Sequence, residues 1–249
     1  MSTRDQKAAE VFRRLFGRDA TPDQDPELGR ILRAVIFGDV FSTGELTDAE
    51  RELCTVVTLA TLQTLPQLRV HVAAALRTGN TPLALREALY SLAPFIGFPR
   101  TLNALGVLNE VLQEQGVTLP LPGAATVTDA DRHQRGRAIQ EPLYGTEIAQ
   151  TFAPLPEPFD QAVPDLLTDL LFGDLWTRTG LDVATRELVA LCALTALGME
   201  RQLPPHVRGA ILAGSSRQKV LTVLVQIAPY TGLPAVLNAI RAVMETGEE

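Results

Sequence analysis

Two histidines, His71 and His206, each follow a glutamate by 19 residues, Glu52 and Glu187 respectively. A carboxylate that accepts an imidazole N–H fixes the tautomer of the ring and raises its basicity, which suits the pair to moving a proton near neutral pH. Each glutamate falls in the first turn of one expected helix and each histidine in the middle of the next. In a plain antiparallel hairpin this leaves them offset by about one helical turn, so spacing alone leaves contact open. A glutamate just inside a helix start is favoured by the helix dipole whatever its role, and a histidine on an apolar helix can be a core residue. The third histidine, His133, lies in a charged segment and reads as a surface residue. Cys54 and Cys192 each sit inside an apolar run, as small buried thiols do, and neither has a partner evident in the sequence.

The recurrence of the Glu–His spacing reflects an internal duplication. Sliding the chain against itself by about 135 residues aligns 37–109 with the second half without gaps, at about one-third identity. Phe37-Gly38-Asp39 falls on Phe172-Gly173-Asp174, Arg51-Glu52-Leu53 on Arg186-Glu187-Leu188, Gln67-Leu68 on Gln202-Leu203 and His71-Val72 on His206-Val207. Gly79 meets Gly214, and Pro94, Gly97, Pro99, Leu102, Asn103 and Ala104 meet Pro229, Gly232, Pro234, Leu237, Asn238 and Ala239. Ahead of each copy, Arg4–Gly17 echoes Asp131–Gly145 after a small length difference, predicting a lead-in helix in each half. The stretch 117–128, with Pro120, Pro122 and Gly123, interrupts helix and sheet alike and divides repeat one (1–116) from repeat two (129–249).

Within each repeat the apolar spacing is helical. Thr47 with Glu50 forms a capping box opening a helix with Leu53, Val56, Val57 and Ala60 on one face. A second helix runs from Gln67 to Arg77 before Thr78-Gly79, a third from Thr81-Pro82 to Gly97, and a fourth from Pro99 to about Gln115. No segment alternates with period two, so the chain is expected to be all-α, a tandem duplication of one helical module.

Composition excludes several function classes. The 249-residue chain has 46% hydrophobic residues and a net charge of −7, with no basic stripe, which argues against binding nucleic-acid phosphates. Its longest apolar run, Leu188–Met199, is short of the roughly 20 residues a membrane span needs. The first residues lack a signal-peptide core, and the two cysteines fit a reducing, cytoplasmic setting.

The combination Arg-Glu-Leu, a helix, Leu-x-x-His, a glycine and Gly-x-Pro-x-x-x-Asn-Ala resembles the carboxymuconolactone decarboxylase family, which includes the alkylhydroperoxidase D-like proteins. The resemblance covers Gly38–Asn109 and Gly173–Met244. Repeat two is nearer the decarboxylase branch: Phe172-Gly173-Asp174-Leu175-Trp176-Thr177-Arg178-Thr179-Gly180-Leu181-Asp182 is similar to that branch's Trp-Gly-x-x-Trp-x-Arg-x-Gly-Leu-Asp, with Phe172 replacing the first tryptophan. The peroxidase branch carries a Cys-x-x-Cys, matched here by Thr64 and Gln67 and by Met199 and Gln202, so an alkylhydroperoxidase-type peroxidase is left as a third reading that the missing thiol pair disfavours.

The resemblance implies an all-helical, cofactor-free and metal-free lyase that takes a small carboxylated lactone or related ring acid. Members assemble as trimers or hexamers, so a tandem chain would form a trimer imitating a hexamer of single repeats. Catalytic roles are expected for Glu187 and His206, and for Glu52 and His71 in repeat one. Arg178 is expected to grip a substrate carboxylate and Trp176 to wall the pocket. Thr43 and Phe41 stand at those positions in repeat one, whose pocket either takes a less charged ligand or survives as an assembly module. A non-catalytic binding or assembly protein on the same scaffold is the alternative.

Overall fold

Charged helices open both halves, α1 (Thr3–Phe16) and α8 (Arg132–Tyr144), where the lead-in elements are expected. The computed structural model describes residues 3–21 and 23–246, and among these every regular element is helical. Between lead-in and main repeat the halves differ. Half one has α2 (Pro26–Arg33), which the 135-residue offset places on α4 (Phe159–Leu167) of half two, and half two adds α3 (Glu147–Phe152). Both then pass through wide π-helical turns, at Ala34–Asp39 and Thr168–Trp176.

The duplicated Phe-Gly-Asp lies on these π-helical turns and docks the lead-in helices. A Cβ on Gly38 would sit 3.0 Å from the Arg4 carbonyl oxygen, and one on Gly173 would sit 2.8 Å from that of Arg132. Any larger residue would push the helix away. Asp39 pairs with Arg4, and Asp174 lies 3.5 Å from Arg132. The motif thereby fixes the last residues of α1 and α8, Phe16 and Tyr144.

The repeated core helices of half one are α5 (Asp48–Leu62), α6 (Leu65–Arg77), α7 (Pro82–Ser91), a short α9 (Ala93–Ile96) and α10 (Phe98–Glu114). Half two repeats them as α11 (Val183–Leu197), α12 (Leu203–Leu212), α13 (Arg217–Thr231) and α14 (Leu233–Glu245). The Thr47–Glu50 capping box is formed in both directions, and Asp182 caps α11 through the Thr185 N–H, each cap contributing about 1 kcal/mol. The expected third helix of half one is divided into α7 and α9 beside Pro94, which cannot donate a backbone hydrogen bond. Its counterpart Pro229 lies inside the unbroken α13.

Helices α5 and α11 are buried along most of their length and pack against each other, so both repeats contribute to one apolar core. Their arginines make reciprocal contacts. Arg51 donates to Gln226 (2.9 Å) and Arg186 to Ser91 (2.7 Å), and Ser91 and Gln226 occupy equivalent repeat positions. These exchanges are what an approximate two-fold relation between the repeats requires. The 117–128 segment is no free tether: Val117, Leu119 and Leu121 pack on the core, and the Ala124 carbonyl accepts from the Thr179 N–H at 3.0 Å.

Candidate active site

The sequence leaves the Glu–His contact open, and the fold closes it in both halves. Nδ1 of His71 lies 2.8 Å from Oε2 of Glu52, and Nδ1 of His206 lies 2.8 Å from Oε2 of Glu187. Both carboxylates are fully buried, and the histidine side chains are only 10% and 12% exposed. With Nδ1–H donated to a carboxylate, Nε2 is the nitrogen left to act on a ligand.

Half two adds a residue that spacing did not single out. The Tyr144 hydroxyl donates to Oε1 of Glu187 at 2.6 Å and lies 2.9 Å from Nδ1 of His206. Burial first, and then the Glu187 charge, raise its pKa well above the ordinary phenol range, so it stays a donor. Gly209 makes room for this contact, since a Cβ there would lie 2.5 Å from Glu187 Oε1 and 2.9 Å from the Tyr144 hydroxyl. The equivalent residues in half one are Phe16 and Ala74, and Glu52 Oε1 is correspondingly buried without a hydrogen-bond partner. The Tyr/Phe difference is present in the two lead-in sequences, but only the docking of α8 shows what the hydroxyl meets.

Each imidazole also touches a ring from the other repeat. Phe95 lies 5.7 Å from His206 and Tyr230 lies 5.6 Å from His71, ring centre to ring centre. On their own side, Tyr144 stands 5.6 Å from His206 and Phe16 stands 5.9 Å from His71. Each histidine thus has one tyrosine and one phenylalanine beside it, with the phenol on opposite sides in the two halves. Burial and the Glu52 charge keep the Tyr230 phenol protonated too.

Two cavities meet at His206. One, of about 240 Å³, is lined by Tyr144, Glu147, Phe172, Arg201 and Gln202 among others. The second, of about 480 Å³, extends past Phe95 between Leu167, Leu171, Leu194 and Leu197. Leu167, Leu171, Gln202 and His206 belong to both walls, so the cavities are neighbours.

Two residues expected at the ligand lie away from these cavities. Arg178 is held by Glu87, donating from Nε to Oε2 at 2.7 Å and from Nη2 to Oε1 at 3.1 Å, and it lines neither cavity at His206. Glu87 is fully buried and also accepts from Arg86, so Arg178 closes an ion-pair network between the repeats. The reciprocal position explains Thr43. Thr222 stands where Glu87 does and packs at the neighbouring Gly44, whose Cβ would approach Thr222 Oγ1 to 2.1 Å. The Arg-to-Thr difference therefore accompanies loss of a structural acid. Trp176 is 2% exposed and packs edge-on against Phe172 at 5.1 Å, one layer behind the cavity wall.

The remaining candidates have structural surroundings. His133 is half exposed and bonds Asp169 at 2.8 Å. Asn103 donates to Gln63 and Asn238 to Glu200, tying the last helix of each repeat to the corner before the histidine helix. Cys54 and Cys192, unpartnered in sequence, meet across the α5–α11 contact; that proximity, with burial, raises the Cys192 pKa and holds it as a thiol. Among the described residues there is no cluster of three metal-ligating side chains, and no helix is long and apolar enough to cross a membrane.

Fold and site together define a two-repeat, all-helical protein built around buried carboxylate–imidazole pairs. The model of the carboxymuconolactone decarboxylase family matches residues 26–110 and 161–245, and the chain belongs to that family. It is 27% identical over 109 residues to 4-carboxymuconolactone decarboxylase of Acinetobacter baylyi, covering 44% of this chain and 81% of that protein. It is 25% identical over 127 residues to nitrosuccinic acid decarboxylase of Metarhizium robertsii, covering 49% and 89%. An uncharacterized 15.0 kDa protein of Paracoccus denitrificans is 36% identical over 106 residues, covering 39% and 79%. A crystal structure assigned as a gamma-carboxymuconolactone decarboxylase subunit from Burkholderia xenovorans shares the fold over 98% of both chains, with a TM-score of 0.55 and 23% identity.

Proposed function

We propose that the protein is a carboxy-lyase and that the Tyr144–Glu187–His206 site is its working centre. The observation that carries this reading is the buried Glu187–His206 pair at the junction of two cavities. The substrate is a carboxylate on a carbon conjugated to a carbonyl, as in a carboxylated lactone. Its C–C bond breaks, carbon dioxide leaves, and the electron pair passes into the enolate. His206 then delivers one proton to a carbon of that enolate through Nε2 and is reprotonated from solvent, so the net reaction consumes one proton per carbon dioxide released. Glu187 stabilises the imidazolium before transfer, and Tyr144 holds Glu187 in place.

The names of the Acinetobacter and Metarhizium relatives support decarboxylation as the reaction class. The test follows carbon dioxide release from gamma-carboxymuconolactone and related ring acids. His206→Ala is expected to lose about 10²–10⁴-fold in kcat/KM. Turnover unchanged by His206→Ala would refute the assignment of the centre. His71→Ala measures the share of the first-repeat pair, in which Phe16 replaces the phenol.

We further propose that the chain assembles as a trimer. Leu102 and Leu237 are 64% and 55% exposed at equivalent positions, near equally exposed Phe98 and Leu233. Apolar side chains repeated on both halves suit an interface. Light scattering should give three chains per particle, and Leu102→Asp with Leu237→Asp should give monomers.

A further inference from the structure

We infer that the His206 site takes an organic acid with an apolar arm, its anionic head beside Arg201 and Gln202 and its arm in the leucine-lined cavity. This rests on the decarboxylase reading only for which bond is broken; the binding geometry stands apart from it. The leucine-lined cavity has about twice the volume of its neighbour, at about 480 against 240 Å³. A compact ring acid placed at His206 would leave that larger space unfilled. Apolar cavities of a few hundred Å³ with a few convergent polar groups are the usual form of a small-molecule site.

The head group follows from charge. Arg201 is exposed at the cavity wall and has no carboxylate partner among the described residues, whereas nearby Arg208 is paired with Glu147 at 2.9 Å. Gln202 beside it offers a second donor on the wall shared by both cavities. An arginine without an acid, at the polar end of an otherwise apolar space, fits a carboxylate.

Half one lacks this combination. Pro66 stands at the position equivalent to Arg201, and Ile148, which helps wall the smaller cavity, comes from α3, a helix inserted in half two. The specificity therefore belongs to the second site.

Straight-chain carboxylates from butanoate to octanoate provide the probe, with binding to the wild-type protein followed by calorimetry. Affinity should rise about fourfold per methylene until the cavity is filled, the equivalent of about 0.8 kcal/mol for each group buried. Leu197→Asn should flatten that dependence while leaving butanoate binding intact. Met199→Gln, at an exposed position on the same wall, gives the same readout should the core variant fail to fold. Arg201→Gln should weaken every acid about fivefold and leave the matching alcohols unaffected. Affinity independent of chain length, or a chain-length effect that survives both wall variants, overturns the inference. Absence of carbon dioxide release would count against the lyase reading and leave these binding results standing.

Discussion

Replacing Tyr144 with phenylalanine removes one oxygen and nothing else, which isolates the contact that distinguishes the two histidine sites. That oxygen donates to Glu187 at 2.6 Å and lies 2.9 Å from His206 Nδ1. The ring keeps its packing against Phe172, so little cavity term accompanies the loss. A hydrogen bond to a charged group contributes about 1.5–3 kcal/mol, and Glu187 Oε1 would be left buried without a donor, as Glu52 Oε1 already is. Thermal unfolding should therefore fall by about 5–10 °C. A freed carboxylate holds the imidazole less firmly, so kcat should fall about tenfold or more with KM little changed, since Tyr144 acts through Glu187 and not on the substrate. The reciprocal experiment installs the same contact in half one: Phe16→Tyr with Ala74→Gly should give Glu52 a donor and recover stability that Phe16→Tyr alone does not. Calorimetric scans of the four proteins with steady-state kinetics on the Tyr144 pair decide the matter. A Tyr144→Phe protein as stable and as active as wild type would refute the reasoning.

Other perturbations have equally definite outcomes. Gly209→Ala should destabilise the protein by about 1–3 kcal/mol, because the added methyl meets Glu187 and the Tyr144 hydroxyl; denaturant unfolding measures it. Glu87→Ala, which leaves Arg86, Arg178 and Arg186 around an empty position, should cost about 3–5 kcal/mol. Arg178→Met should lower stability without altering ligand affinity at His206, and an affinity loss would restore Arg178 as a ligand contact. Tyr144 and Tyr230 have phenol pKa values raised by folding, so the unfolded chain releases their protons first as the pH climbs. Their stabilisation is complete below about pH 10 and declines above it by about 1.4 kcal/mol per pH unit for each phenol. Ultraviolet titration should show their phenolate signals appearing together with unfolding. Cys54 and Cys192 should resist alkylation in the native protein and react once it is denatured, as thiol counting would show.

Much of this architecture was written in local pattern. Helical spacing, the Thr47–Glu50 box, glycine stops and the duplication between 37–109 and the second half set the class of fold and the recurrence of the Glu–His spacing, because each depends on residues close in the chain or repeated along it; the contact itself waited on packing. The elements between lead-in and repeat are not legible in local pattern: prolines and short segments give α2, α3 and α4 no sustained period, and π-helical turns have no simple apolar signature.

What required the tertiary structure were contacts between segments remote in sequence. Docking of α8 on Phe172-Gly173-Asp174 brings Tyr144 to Glu187, 43 residues away, and the opposite repeat brings Phe95 to His206. Arg178 reads in sequence as a free cation because its acid, Glu87, lies 91 residues earlier in the other half. Local sequence sets helix type and amphipathic face, whereas the partner of a buried charge is chosen by how those faces pack.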